Sequence, residues 1–589
     1  MNRAYLRHLT DDEKFELTFQ YVDPTVRVDR QFNFCRRASE TVSSFSQRVA
    51  ANIDKVVKKK SKNPNQAPVE VSVSVNGNLV GDENVLCRDI FALSSDKVTL
   101  NVCGHQFEVV INSPWVNCVT LPGSILAGFP VYPLKFETVY TDRQLSEFTW
   151  YKSPNKNQWI HVGDGFVYDT CNSDVGAFLK VSCLPKSGDL EGPRAEAVSS
   201  VQVQAGPGFC PFETRHHFTK DKCQGDTFRV VSYNILADLY CDSDFTREVL
   251  HPYCPPYALA IDYRKQLFIK EIKGFNADII CLQEVDRKIY NYDLQPLFEQ
   301  LDYDSDFCIK GGLVAEGLAC FYNKNRFKRL ETFRLVLSDE LNSNQLFSDI
   351  WEIVETNQEL SARILNRSTV LQVNILESLD RNEVLVVGNT HLYFHPDADH
   401  IRLLQGAAII RYLEHIMDRF RNEFGKRLSL VLCGDFNSVP ECGIYQLYTT
   451  GSVPEDHVDF QSNLQQAVRV PLQQSLRLKS ACGTPKYTNF TAGFADCLDY
   501  IYCEAANFDV VQVVPLPSHE ELSQHTALPS VVFPSDHVSL VSDLKWTHVV
   551  QSPVGKVVNR GDGHHDHADA QAVDQKQEGD VKDEQETWN

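Results

Sequence analysis

The sequence predicts an α/β domain over roughly residues 226–548, preceded by a β-rich, immunoglobulin-like region over 67–205. Three observations carry this. After position 226 short apolar runs alternate with stretches of helical period, the pattern of α/β architecture. Between 67 and 205 the apolar residues alternate one by one, the period of strands. The two patterns are separated by Ala205-Gly-Pro-Gly-Phe209, a boundary signal that makes 206–225 a linker.

Taken in order, residues 1–66 read as a strand-forming segment, a polar helix and a basic linker with Lys55, Lys58, Lys59, Lys60 and Lys62. Such charge blocks are usually solvated, and a nuclear or RNA-binding patch is the sharper alternative. The first residues lack an apolar stretch, so no signal peptide is expected. Arg3, Arg7 and His8 would suit a transit peptide, but Asp11, Asp12 and Glu13 argue against one.

In the β-rich region Val69, Val71, Val73 and Val75 alternate with Glu70, Ser72 and Ser74, and Asn76-Gly77 marks a hairpin turn. Trp150 on an aromatic strand, followed by Asp174-Val-Gly176 and then Cys183, is the signature of an immunoglobulin-like sandwich, although the corner tyrosine is lacking. No catalytic constellation occurs here, so the region reads as a binding or packing module. Beyond 226, Phe268, Ile272 and Phe275 share a helix face, and Asn276-Ala-Asp278 breaks it before Ile279-Ile-Cys-Leu282. Residues 549–589 hold nine Asp and Glu against four Lys and Arg and read as a disordered acidic tail. His564, His565 and His567 within it read as chance histidines more readily than as metal ligands.

Composition narrows the chemistry. The 43% hydrophobic and 11% aromatic content supports large cores, and no apolar run approaches a membrane span. The 18 cysteines show no C-x-x-C pair, so neither a disulfide framework nor a zinc site is expected; Cys281 and Cys433 read as core residues. A net charge of −21 is ill suited to gripping long nucleic acid through phosphates alone. It is compatible with holding a short strand end whose reacting phosphate is neutralised by metal.

The α/β region carries the chemistry. Apolar strands lead into Asn234, Glu284, His391, Asp435 with Asn437 two residues on, Asp499, and Asp536 with His537. Any one of these could be a cap or turn former. Their recurrence at the same point of the strand pattern points instead to a site at strand ends. Carboxylate and amide oxygens are hard ligands suited to magnesium, with zinc the weaker choice. A histidine oriented by a carboxylate can stabilise charge developing on phosphate. No P-loop or G-x-S-x-G motif is found, which removes those enzyme classes.

Ser232-Tyr-Asn-Ile-Leu236, Leu282-Gln-Glu-Val285, Thr390-His391, Gly434-Asp-Phe-Asn437, Leu498-Asp-Tyr-Ile501 and Ser535-Asp-His537 resemble, in order, the motifs of the endonuclease/exonuclease/phosphatase superfamily. Ser232 to Asp238, His391-Leu-Tyr-Phe-His-Pro396, Lys479-Ser-Ala-Cys-Gly483, Pro515-Leu-Pro-Ser-His-Glu520 and Ala127-Gly-Phe-Pro130 resemble its nocturnin-type deadenylase branch, in particular the mitochondrial oligoadenylate-degrading members. The resemblance implies a two-sheet α/β sandwich. It implies a magnesium-dependent 3′-exoribonuclease, with manganese able to substitute, that hydrolyses 2′,5′-oligoadenylate, removes poly(A) tails from RNA 3′ ends and releases AMP. By the same resemblance Glu284 would hold the metal with Asn234 close by, and Asp536 would help a second metal. Asp435 would deprotonate the attacking water, and Asn437 and His391 would grip the phosphate. His537, oriented by Asp499, would stabilise the transition state. Phe494 would stack on adenine; a plain core phenylalanine is the alternative.

The implied location is the mitochondrial matrix, with the cytoplasm as alternative. Other functions stay open: an abasic endonuclease, an inositol phosphatase, a sphingomyelinase, or a catalytically inert RNA-binding scaffold. The first would need a basic duplex-binding face. The last would be expected to have lost Glu284, Asp435 or His537, and all three are present.

Overall fold

The structure, a computed structural model, describes residues 2–9, 13–60, 67–92, 96–423 and 425–547. Lys62, the acidic stretch 549–589 and its histidines lie outside the described residues.

The N-terminal part is built on one mixed seven-stranded sheet. Its order is Val28–Arg37, Lys14–Asp23, Asn2–His8, His105–Ile111, Val98–Val102, Val71–Val75, Asn78–Leu79. Asn2–His8 runs parallel to His105–Ile111, so the sheet joins residues on both sides of the expected boundary at position 66. That pairing is non-local and leaves no trace in a residue-by-residue pattern. Phe15, Phe19, Phe45, Val49, Ile53 and Phe107 form the core between the sheet and the helix Val42–Lys60. Lys55, Lys58, Lys59 and Lys60 therefore belong to the last turns of a helix, not to a linker. The Asn76-Gly77 turn has both residues at positive φ, 50° and 84°, the geometry a two-residue hairpin needs.

Residues 113–204 form a second, all-β unit. Trp150 on Asp142–Ser153 and Cys183 on Phe178–Ser187 lie on adjacent antiparallel strands, as the corresponding strands of an immunoglobulin-like sheet do. Both are fully buried.

From residue 227 the chain builds two six-stranded mixed sheets with helices on their outer faces. The first has the order Tyr303–Ile309, Glu316–Asn323, Ile279–Asp286, Thr227–Asn234, Leu540–Trp546, Phe508–Val513. The second has the order Phe327–Val336, Val370–Ser378, Glu383–His391, Arg427–Asp435, Asp499–Glu504, Leu478–Ser480. Each is centred on one parallel pair. Val230, Cys281 and Cys320 of the first sheet meet Leu385, Val431 and Cys433 of the second in the interior between them. The helix Asp399–Glu423 covers the outside of the second sheet.

The helix Ile261–Gly274 covers the first sheet, and its Phe268 and Ile272 lie in one continuous core with Trp150, Leu179 and Val181 of the β-unit. Polar bonds reinforce the seam. Tyr132 donates to Asp293 at 2.7 Å, and the Leu126 amide donates to Gln266 at 2.9 Å. The β-unit is thus part of the packing of the α/β domain. Among the described residues, no helix is long and apolar enough to cross a membrane.

Candidate active site

The expected polar residues reach one edge of the two sheets by three routes: strand ends, strand beginnings and a bulge. Asn234, His391 and Asp435 are the last residues of their strands. Asp499 is the first residue of an antiparallel neighbour, in register with Asp435. Asp536 and His537 precede the strand Leu540–Trp546, which runs antiparallel to Thr227–Asn234. An antiparallel strand offers its beginning at the edge where its neighbours end, so Asp499, Asp536 and His537 are not at carboxyl ends of strands as the pattern had suggested.

Glu284 lies inside Ile279–Asp286, where the pairing with Glu316–Asn323 slips between Leu282 and Val285. This bulge, with Glu284 at φ 55°, turns its carboxylate into the site. Leu236 at φ 58° and Asn437 at φ 48° are also left-handed. Such conformations cost about 1–3 kcal/mol each and cluster where function fixes the backbone.

Asp435 is the hub. Its Oδ2 accepts from Asn234 Nδ2 at 3.0 Å and lies 3.5 Å from His537 Nε2 and 3.6 Å from His391 Nε2. Its Oδ1 accepts the amide of Asn437 at 2.9 Å. Burial and the facing Asp499 push its carboxyl up to about 6, with His537, Asn234 and the Asn437 amide pulling the other way. His537 Nδ1 donates to Asp499 at 2.8 Å. Burial disfavours its charged form, but Asp499, Asp435 and Asp536 outweigh that and hold it well above the ordinary histidine range. His391 is the opposite case. Burial, Lys310 and His537 hold it well below that range, so it is neutral. Lys310 Nζ lies 3.2 Å from His391 Nδ1, which makes Nδ1 the acceptor and leaves the Nε2 hydrogen facing the site.

Glu284 accepts from Asn234 Nδ2 at 2.8 Å and from the Ala237 amide at 2.9 Å. Burial and the charge of Asp536 both push its carboxyl up, against the pull of Lys310. Two mutually repelling carboxylates in a buried site suit a shared divalent cation, because the nearest ammonium, Lys310, already pairs with Glu316 and faces His391. Glu284 and Asp536 offer carboxylate oxygens, and Asn234, whose Oδ1 accepts the Leu236 amide at 3.0 Å, holds Glu284 in place through Nδ2. Asp435, Asp499 and His537 could also gather around an ion. There His537, held charged by its acidic neighbours, has no free lone pair to give, so the Glu284 group is the better ligand set.

Four residues around the site have no counterpart among the motifs of the sequence. Lys310 and Glu316 form a buried ion pair beside His391, and Tyr240 donates to Glu316 at 3.1 Å. Glu316 is pushed up to about 7 by burial against the pull of Lys310. Neither residue sits in a recognisable motif; an apolar strand opening on a glutamate, Glu316-Gly-Leu-Ala319, was the available signal. Arg264, fully buried, donates to the carbonyls of Ile235, Leu236 and Pro534. It clamps the segment after Asn234 to the segment before Asp536.

Phe494 lies at the tip of the small hairpin Asn489–Phe490 and Ala495–Asp496 and is 47% exposed, which removes the core-residue alternative. The hairpin is tied to the site by the Phe490 amide, which donates to the Asp536 carbonyl at 3.0 Å. Phe394, three residues after His391, is a second exposed ring.

The endonuclease/exonuclease/phosphatase family matches residues 231–537, and the 2′,5′-phosphodiesterase 12-like N-terminal domain matches residues 113–204. The 2′,5′-phosphodiesterase 12 of Rattus norvegicus is 38% identical over 587 residues, covering 93% of this chain and 94% of that protein. The Homo sapiens protein of the same name is 37% identical with the same coverage. The CCR4-Not complex 3′-5′-exoribonuclease subunit Ccr4 of Mycosarcoma maydis is 30% identical over 349 residues, 54% of this chain and 50% of that one. With its two-sheet fold, its edge-on site and these likenesses, the chain belongs to the endonuclease/exonuclease/phosphatase family, within the group of the 2′,5′-phosphodiesterases 12.

Proposed function

We propose that this chain is a phosphodiesterase and 3′-exoribonuclease that removes adenylate from 2′,5′-oligoadenylate and from RNA 3′ ends, releasing AMP, with magnesium held by Glu284 and Asp536 beside Asn234. The observation that carries this reading is the convergence on Asp435 of Asn234, His391 and His537 within 3.6 Å. It brings a base, a neutral imidazole and a charged imidazole around one point.

Asp435, ionised above about pH 6, takes a proton from water. The water oxygen bonds to phosphorus in line with the departing 2′ or 3′ ribose oxygen. That P–O bond breaks, and the ribose oxygen leaves with a proton from solvent. His391 donates from Nε2 to a non-bridging oxygen, and Asn437 holds the same phosphate. His537, kept charged by Asp499, neutralises the charge that grows on the pentacovalent phosphorus. The bound cation supplies charge neutralisation at the phosphate, worth several kcal/mol, and manganese can take its place. None of these groups reads which ribose oxygen carries the linkage, so both linkages are substrates.

The family resemblance supports an RNA-processing role in the mitochondrial matrix. The deciding experiment is product analysis on matched 2′,5′- and 3′,5′-linked triadenylates with magnesium and after chelation. AMP released from both, and abolished by EDTA, is expected. Inorganic phosphate as the product would make the enzyme a phosphatase and overturn the reading.

A further inference from the structure

Within a chain of net charge −21, residues 27–60 hold nine Lys and Arg against three Asp and Glu. This stretch carries +6, so the remaining residues carry −27. The fold gathers most of these charges into one strip; Arg37, of opposite strand parity to Phe32 and Phe34, points away from the helix. Val28–Arg37 is the edge strand of the N-terminal sheet. The helix Val42–Lys60 runs back beside it, so that Lys60 Nζ ends 3.4 Å from the Arg27 carbonyl. Nineteen helical residues make the strip about 28 Å long.

The three acids are engaged. Asp29 accepts from Gln20 at 2.5 Å, Glu40 lies 3.4 Å from Arg48, and Asp54 lies 2.6 Å from Lys58. Arg30, Lys55 and Lys59 are exposed and have no acidic partner among the described residues. Two guanidiniums are braced against rings, Arg30 over Phe32 at 5.6 Å and Arg36 over Phe34 at 5.8 Å. Edge strands are often guarded by cations, and helix C-termini favour them. Those effects explain the edge charges and the last turn. They do not explain Lys55, a turn earlier, or free cations continuing along both elements.

We propose that this strip binds the phosphate backbone of single-stranded RNA upstream of the cleaved end. It has the features such binding needs: several unneutralised cations in a row, flat guanidiniums for phosphate, and an acidic remainder that directs a polyanion to this one surface. The inference rests on the phosphodiesterase reading. It adds that short oligoadenylates use the catalytic site alone, whereas long substrates engage both surfaces.

The test uses the full chain with Arg30→Glu, Lys55→Glu and Lys59→Glu combined, and a second variant with Gln at the same positions. The readout is the ratio of kcat/KM on a 25-nucleotide polyadenylate to that on triadenylate, with thermal unfolding as the fold check. A parallel measurement follows binding of the same 25-mer by fluorescence anisotropy in a Glu284→Ala background, which reports the strip without cleavage. The charge reversal is expected to lower the long-to-short ratio at least tenfold at low salt. It should flatten the slope of log Kd against log salt by about 2, since each cation contributes about 0.7 on single strands. The neutral variant should fall between. An unchanged ratio and slope in a folded variant overturns the proposal. So does a loss of affinity for phosphatidylserine vesicles with RNA affinity intact, which would make the strip a membrane-facing surface. Failure of the wild type to cut triadenylate would count against the phosphodiesterase reading, while the anisotropy result would still decide the strip.

Discussion

The guanidinium of Arg264 donates to the carbonyl of Leu236 at 2.8 Å. The same nitrogen reaches the Pro534 carbonyl at 3.2 Å. One buried cation thereby fixes the loops bearing Asn234 and Asp536, and Leu236 is held at positive φ. Arg264→Met should lower kcat about 100-fold, because displacing reacting groups by an ångström is enough for that. Leaving four carbonyls, those of Leu259, Ile235, Leu236 and Pro534, short of a donor should also lower stability by about 1–3 kcal/mol. Steady-state kinetics beside urea unfolding checks both. A folded variant with kcat within threefold of wild type would show that the loops hold themselves.

Glu284→Ala should lower kcat/KM by at least about a thousandfold, because charge neutralisation at phosphate is worth several kcal/mol. Calorimetric titration with magnesium should show weakened binding in the same variant, a readout independent of turnover. Chelation should give the same loss in wild type, with magnesium or manganese restoring it and calcium restoring little. Residual activity within tenfold of wild type contradicts the assignment.

How much of this could be read from sequence follows from how local each feature is. The strand that delivers Asp435 is a continuous apolar run with its polar residue at the end, so it was legible. The placement of Asp499 depends on an antiparallel register with Asp435, which no local pattern encodes. Lys310 and Glu316 were missed because a lysine after an apolar strand and a glutamate before the next are ordinary loop signals. Their meaning appears only when Glu316 is buried against Lys310 beside His391. The pairing of Asn2–His8 with His105–Ile111 was hidden for the same reason.

Asp435 and His537 should set the two limbs of the pH profile. His537 is held above the ordinary range, so its charged form persists to high pH and is lost as pH rises through its raised pKa. Activity should therefore fall on the alkaline side. Asp435, pushed up to about 6, must be ionised to act, so activity should also fall as pH drops below that value. Asp499→Asn removes a charge that raises both groups. Both limbs of the kcat/KM profile should shift to lower pH, together with a drop in the plateau. An alkaline limb that stays in place would mean His537 is not the group behind it.

The β-unit should unfold together with the catalytic domain. Trp150 is fully buried in a core that also contains Phe268, Ile272 and Val541. Trp150→Ala should cost about 3–5 kcal/mol, as large-to-small core changes do. Because that core is shared, loss of phosphodiesterase activity on heating should track loss of β-structure, and the variant should move both midpoints down together. Two separated transitions would show that the β-unit is an independent module.

Phe494 is expected to supply the adenine preference. The groups around Asp435 address water, phosphate and charge, so base selection needs another surface. Phe494 is 47% exposed at a hairpin tip whose neighbour Phe490 is hydrogen-bonded to Asp536. The tip itself is stiffened locally: the Phe494 amide donates to Thr491 Oγ1 at 3.1 Å, and the Thr491 amide donates back to the Phe494 carbonyl at 2.7 Å. A ring held by a rigid turn beside the phosphate site can stack on a terminal base, a contact worth about 1–3 kcal/mol. Phe494→Ala should therefore lower kcat/KM on A-ended substrates of both linkages by a similar factor, roughly 5- to 150-fold if stacking alone is lost. Because Phe494 is exposed, the melting temperature should hardly move. Substrates ending in uridine, which stack more weakly, should lose less, so the preference for adenylate should narrow. Phe394→Ala is the control, since that ring is also exposed but lies in a separate loop, after His391. If Phe394→Ala narrows the preference and Phe494→Ala does not, the base is read from the His391 loop. If Phe494→Ala affects one linkage only, the ring senses the ribose path rather than the base.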